Sequence, residues 1–182
     1  YVSGTGSTAL VFSYTATAGD TTSDLQVTTT AGALTGTIVD LAGNPVAATA
    51  ADGINPTGTL VVDTTAPTVV TDTTIGTDTG SALTISSGGL TKDNTLALSG
   101  TFGDDMAGVS TVKIYDGSTY LGDATLDSVA HTWSYTTTPL VDGGHSFTAV
   151  ATDLAGNASV ATGAVTATVD TTAPTIAIDP LL

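Results

Sequence analysis

The chain has 182 residues and a formal net charge of −15, since 17 aspartates face two lysines and there is no arginine or glutamate. The lack of a basic patch excludes binding to nucleic acid or to an anionic membrane. The absence of cysteine excludes a disulfide scaffold, thiolate chemistry and cysteine-bound zinc. The longest apolar runs are about four residues, too short to cross a bilayer. Residue 1 is tyrosine and no signal-like stretch follows, so we expect a mature or excised piece of a longer chain.

The acidic side chains are too many to be neutralised by two lysines. Their mutual repulsion must be relieved by solvent, salt or bound cations. Hard divalent cations such as Ca²⁺ take about six to eight oxygen ligands, often from aspartate-rich loops. A plain acidic surface would instead serve solubility. Composition alone leaves both interpretations open.

Strands joined by turns are the predicted elements, because threonine, valine, glycine and serine dominate and strong helix formers are scarce. Alternation of large apolar residues marks successive strands. In chain order these runs are Leu10–Thr15, Leu96–Phe102, the run with Val112 and Ile114, His131–Thr136 and Phe147–Ala151. Turn signals such as Asp116-Gly117 and Asp142-Gly143-Gly144 separate them. The spacing predicts an all-β fold of antiparallel, immunoglobulin-like sandwiches.

A seven-residue segment occurs twice, as Val62–Thr68 and Val169–Thr175, at an offset of 169 − 62 = 107 residues. Each copy begins about twenty residues after the start of an Asp-Leu-Ala-Gly-Asn segment (62 − 40 = 22 and 169 − 153 = 16), which indicates tandem modules joined by short proline-containing linkers. We predict the C-terminal part of one repeat over 1–62, without its N-terminal strands, and a linker over 63–68. A complete repeat follows over 69–169, and 170–182 form a linker and the start of a further repeat.

The Asp-Thr-Thr-Ala-Pro-Thr linkers and the segment Ala151–Asn157 carry a family resemblance. The chain resembles the bacterial immunoglobulin-like tandem repeats of large RTX-type and biofilm-associated surface adhesins of Gram-negative bacteria. The stretches Asp93–Thr101 and Trp133–Tyr135 follow the same pattern. The resemblance implies type I secretion, an extracellular location at the bacterial cell surface, and calcium-stiffened linkers. Such extender modules mostly hold a distal binding domain away from the cell.

Strand order in such a sandwich brings several aspartates to one end. The loop after the second strand contains Asp104 and Asp105, the loop after the sixth strand runs from Asp153 to Asn157, and Asp63 lies in the incoming linker. We expect these side chains to converge. A divalent cation would turn their repulsion into a clamp, and we predict Ca²⁺ with these five residues as ligands. Solvated turn aspartates are the alternative.

Further aspartates extend the prediction to neighbouring modules. Asp20 and Asp24 are expected to lie in the far-end loop of the preceding module, so we include them among the ligands at the same junction. Asp170 is expected to open an equivalent site at the next junction. For Asp78 and Asp93 an ordinary turn role is favoured.

The remaining candidates favour structural roles. His131 and His145 lie at predicted strand starts and have no cysteine or glutamate partner, so catalysis or zinc binding is not expected. Trp133 and Tyr135 follow an inward strand face, which favours the core over a platform for sugar rings. No nucleophile elbow or phosphate loop is present, and we predict that the segment is not an enzyme.

The expected function is that of a structural extender of a surface adhesin. Its partners would be neighbouring repeats of the same chain, with further copies of itself as a second candidate. A carbohydrate-binding or other ligand-binding module, a spacer in a secreted multidomain enzyme and a self-assembling fibre subunit are the alternatives.

Overall fold

The computed structural model describes residues 13, 15–23, 42, 60–77, 84–104 and 108–177. The chain divides into two compact units, residues 1–64 and residues 65–182. In the first unit, Thr22 and Val62 form an antiparallel bridge with backbone bonds of 2.8 and 2.9 Å. Most of the predicted strand Leu10–Thr15, like most of residues 1–62, lies outside the described residues.

The described part of the second unit contains eleven strands and is all-β. The strands are β1 (Thr68–Thr71), β2 (Thr74–Thr77), β3 (Thr84–Ser86), β4 (Gly89–Thr91), β5 (Leu96–Gly103), β6 (Val109–Asp116), β7 (Thr119–Asp123), β8 (Thr125–Asp127), β9 (Thr132–Thr136), β10 (Gly143–Asp153) and β11 (Val165–Val169). One sheet has the order β3-β2-β5-β9-β8, with β1 also paired to β5. The other has the order β4-β11-β10-β6-β7, in which β4 and β11 are parallel and the remaining pairs antiparallel. The predicted β-sandwich is therefore confirmed.

The core lies between the two sheets and follows the predicted alternation. Along β10, Phe147, Ala149 and Ala151 are buried, while the residues between them are half-buried. On β6, Val112 and Ile114 are buried and Lys113 points outward. The buried apolar residues are Ile75, Leu96, Leu98, Val112, Ile114, Trp133, Phe147, Ala149, Ala151, Val165, Ala167 and Val169.

Trp133 is the largest buried side chain, as its phase on β9 predicted. Its indole Nε1 donates a 3.0 Å hydrogen bond to the Val70 carbonyl on β1. The approach is possible because residue 100 is glycine: a Cβ there would lie 1.9 Å from the Val70 oxygen and 2.7 Å from Trp133 Nε1. Gly100 thus permits the contact that fastens β1 over the core.

His131 differs from its predicted place at a strand start. Strand β9 begins at Thr132, and His131 is exposed in the preceding turn with a φ of 55°. Asp127 Oδ1 accepts the amides of Val129 and Ala130 at 2.9 and 3.0 Å, which tightens the four-residue β8–β9 connection. His131 adopts the left-handed backbone conformation that leads the short connection into β9, and the alternation of apolar residues in the sequence gives no sign of this conformation.

The second unit receives and releases the chain at opposite ends. Strand β1 begins at Thr68, which pairs with Gly103 at the end of β5. Strand β11 ends at Val169, which pairs with Gly143 at the start of β10, whereas Asp153 ends β10. The eleven residues of β10 therefore run from the exit end to the end that holds Asp153. At a rise of about 3.3 Å per residue, the two ends are about 33 Å apart.

Candidate metal centre

Asp104 follows β5 directly, where the sheet ends. Its Oδ2 accepts a hydrogen bond from the Gly108 amide, which closes the loop between β5 and β6. Its Oδ1 is buried and has no hydrogen-bond partner. A buried acceptor without a donor is costly, so this oxygen is suited to a ligand that lies outside the protein's own hydrogen bonds.

Asp153 ends β10 and is 2% exposed. Its Oδ1 accepts the Asn157 amide, and its Oδ2 accepts Asn157 Nδ2, both at 2.8 Å. Burial alone would raise the pKa of Asp153, but the hydrogen bonds from Asn157, with further backbone amides of the loop, outweigh it. The pKa is held below its usual value, so Asp153 stays ionised at neutral pH.

Asp63, Asp104 and Asp153 each offer a carboxylate oxygen, and these oxygens lie within 4.8 Å of one another. It is the one such group among the described residues. Asp63 lies in the segment that leads into β1, so the three carboxylates come from segments far apart in sequence. Carboxylates held this close repel one another unless a cation lies between them.

The donor atoms of the group would suit a hard cation. Ligands made only of carboxylate oxygens suit calcium, magnesium or manganese, while zinc prefers nitrogen and sulfur. Calcium binds oxygens at about 2.3–2.6 Å, so two oxygens that share one ion lie at most about 5 Å apart. The spacing of the three carboxylates meets this limit. The residues present therefore fit a calcium ion, which would give the buried Asp104 Oδ1 the partner that it lacks.

The other predicted ligands have different surroundings. Asn157 donates its side-chain amide to Asp153, so it orients that carboxylate. Asp20, in the first unit, accepts the amide and hydroxyl of Thr17 at 2.7 and 3.0 Å. Asp170 is exposed and accepts the Thr172 amide at 3.1 Å. Asp24 and Asp105 lie outside the described residues, as does Asp78.

Sequence reasoning missed the role of Asp142, which it treated only as part of a turn. Its two carboxylate oxygens accept three hydrogen bonds from Thr171 and Thr172, in the linker that follows β11. The Asp-Gly-Gly signal before β10 marked a turn, but it carried no sign of a contact 29 residues away.

His145 has the structural role that was predicted. Its Nδ1 lies 2.6 Å from Asp116 Oδ2, and its Nε2 lies 3.0 Å from the Val141 carbonyl. Burial works to lower the pKa of His145, but the hydrogen bond to Asp116 and that to Val141 outweigh it, so the pKa is raised above its ordinary value. The histidine thus ties β6 to the start of β10 and lies apart from the carboxylate group.

Comparison with known proteins places the fold in a family. The family described as "Bacterial Ig-like domain" matches residues 63–171, more than half of the chain, and the chain belongs to it. A solved structure of fibronectin(III)-like modules of CbhA from Clostridium thermocellum is similar over 55% of this chain and 99% of that one, with a TM-score of 0.38 and 18% identity. No curated protein was found that matches the sequence. Among the described residues, no helix has the length and hydropathy needed to cross a membrane.

Proposed function

We propose that this chain is a structural extender segment of a bacterial cell-surface adhesin, stiffened by Ca²⁺ where modules join. The observation that carries the proposal is the position of the chain's entry and exit at opposite ends of the second unit. A domain of this kind adds its own length to a series, about 33 Å for each module. Domains with adjacent termini would not lengthen a chain in this way.

Calcium is proposed at Asp63, Asp104 and Asp153. Asp63 precedes β1, Asp104 follows β5 and Asp153 ends β10, so an ion shared by them would tie the incoming segment to two strand ends of the domain. A short linker that contains a proline is already restricted, and a bound ion would remove much of its remaining freedom. Extracellular modules bind calcium at roughly 10⁻⁴–10⁻³ M, which suits a protein outside the cell.

The proposed partners are neighbouring repeats of the same chain, in accord with the linker sequence that occurs twice. A sugar-binding role has less support. Trp133 is 2% exposed and Tyr135 donates its hydroxyl to the Leu121 carbonyl at 2.9 Å, so neither ring is displayed as a platform. The family to which the chain belongs is typically made of non-catalytic modules, in agreement with a structural role.

Small-angle X-ray scattering of residues 1–182 in calcium and in EDTA tests the proposal. With calcium we expect a more extended and less variable particle, and with EDTA a broader distribution of sizes. Asp104→Asn is expected to scatter alike in both buffers, because it removes one of the three carboxylates. Asp123→Asn, which changes the charge equally on an exposed part of β7, should behave like the wild type. Identical wild-type profiles in the two buffers would contradict calcium stiffening.

A further inference from the structure

The linker that follows β11 is bonded to the domain it leaves. Asp142 Oδ1 accepts the Thr171 amide at 2.9 Å and the Thr171 hydroxyl at 2.7 Å, and Oδ2 accepts the Thr172 hydroxyl at 2.8 Å. The Asp170 amide donates to the Thr91 carbonyl at 2.8 Å. Four hydrogen bonds thus hold three consecutive linker residues against β4 and the start of β10.

Asp142 is suited to this role because it is held in its charged form. Hydrogen bonds from the Thr171 hydroxyl and amide, followed by that from the Thr172 hydroxyl, lower its pKa below the ordinary value. Hydrogen bonds to a charged acceptor are stronger than those between neutral groups. The contact joins residues 29 and 30 positions apart, so it is a tertiary contact and not a local turn.

The equivalent linker position in the first unit is also bonded to its own unit. Thr64, the counterpart of Thr171 in the repeated segment, accepts the Gly19 amide at 3.0 Å through its hydroxyl oxygen. The same hydroxyl donates to the Asp20 carbonyl at 2.9 Å. The turn itself is closed by the Asp20 carboxylate, which accepts from Thr17. In both linkers the threonine that follows the aspartate is bonded to the preceding unit. Thr171 donates to the Asp142 carboxylate, whereas the Thr64 hydroxyl bonds to the backbone of the turn at Gly19 and Asp20.

We infer that each Asp-Thr-Thr linker is a fixed part of the module that precedes it, held without metal, and that Thr64 and Asp142 are positioning residues. Each fixes the linker aspartate, Asp63 or Asp170, for the cation site of the module that follows. The metal half of this inference rests on the proposed function, whereas the fastening of the linker does not. A ligand held in place before the ion arrives loses less freedom on binding, so calcium binds more tightly.

Amide hydrogen exchange in EDTA tests the fastening in the absence of metal. Thr64→Val keeps the shape of the side chain and removes the hydroxyl, so we expect the Gly19 amide to exchange about two- to tenfold faster. Thr64→Ser retains the hydroxyl and should preserve the protection. Asp142→Ala should accelerate exchange of the Thr171 amide by a similar factor. Wild-type exchange rates at Gly19 in Thr64→Val and at Thr171 in Asp142→Ala would overturn the inference.

Calorimetric titration with calcium alone tests the consequence for metal binding. Thr64→Val is expected to weaken calcium binding about two- to tenfold, with Thr64→Ser close to the wild type. Thr125→Val, at an exposed position on β8, is the matched control and should leave the affinity unchanged. Trp133 fluorescence verifies that the second unit remains folded in every variant. An unchanged affinity in Thr64→Val overturns the positioning role. A wild-type chain that binds no calcium defeats the proposed metal site, while the exchange rates in EDTA still decide whether the linker is fastened.

Discussion

Replacing Asp104 by asparagine separates electrostatic repulsion from metal binding. The carboxylate oxygens of Asp104, Asp63 and Asp153 lie within 4.8 Å of one another. Two unit charges at that distance repel by about 1 kcal/mol at the dielectric constant of water and by about 3.5 kcal/mol at an effective constant of about 20. Asparagine keeps an oxygen that can accept from the Gly108 amide, but it removes one charge from the group. Because Asp104 is only half-buried, the lower part of this range applies, and we expect Asp104→Asn to stabilise the calcium-free second unit by about 1–2 kcal/mol.

Calcium should reverse the order of stability. An ion that binds only the folded state stabilises it by about 2.7 kcal/mol at a hundredfold excess over its Kd. Calcium at about 10 mM reaches that excess for a Kd of about 10⁻⁴ M. The wild type gains this stabilisation, whereas Asp104→Asn has lost a charged ligand and gains little of it. The variant is therefore expected to melt above the wild type in EDTA and below it in calcium.

Thermal unfolding followed by the fluorescence of Trp133, the one tryptophan, is the assay, because this residue lies in the core of the second unit. Asp123→Asn supplies the control, since it makes the same change of charge on β7, outside the carboxylate group. It should leave the response to calcium intact. The reasoning would be refuted if the melting temperature of Asp104→Asn differed from that of the wild type in the same direction in both buffers. It would also be refuted if calcium left the melting temperature of the wild type unchanged.

Two further predictions concern the scaffold. Gly100→Ala should destabilise the second unit by about 2–4 kcal/mol in urea unfolding, because it overpacks the core and displaces the Trp133 hydrogen bond. The control is Gly144→Ala, which has no atom near its added Cβ and should change stability by less than about 0.5 kcal/mol. Equal stability of the two variants would contradict the packing argument. Because the folded pKa of His145 is raised through Asp116, its stabilising contribution is complete below the unfolded pKa of about 6.5 and is lost as the pH rises through the folded value. Nuclear magnetic resonance titration should give His145 a pKa above about 6.5, and a value at or below that figure would disprove the assignment.

The sandwich was predictable because alternation reports directly on burial. Phe147 and Ala149 on β10 and Val112 on β6 are buried where their spacing placed them. Strand order likewise predicted that Asp104, just after β5, and Asp153, the last residue of β10, would come close, since loops at one end of a sandwich share a small area. The metal itself remains a prediction, as does the participation of Asp20, Asp24, Asp105, Asn157 and Asp170.

What escaped prediction depends on contacts that no local pattern encodes. Gly100 reads as an ordinary strand glycine, and only the approach of the Val70 carbonyl shows why a side chain is impossible there. Asp142 reads as a turn residue, because its bonds to Thr171 require the tertiary fold. His131 was expected at the start of a strand, but the short turn before β9 requires a left-handed residue at that position. Each of these features depends on the three-dimensional structure, which the spacing of residues in the sequence does not give.

A crystal structure of residues 1–182 grown with calcium tests the central claim most directly. We predict one ion bound by carboxylate oxygens of Asp63, Asp104 and Asp153 at about 2.3–2.6 Å. The contrary result is a structure in which these carboxylates point away from one another into solvent and no ion lies among them.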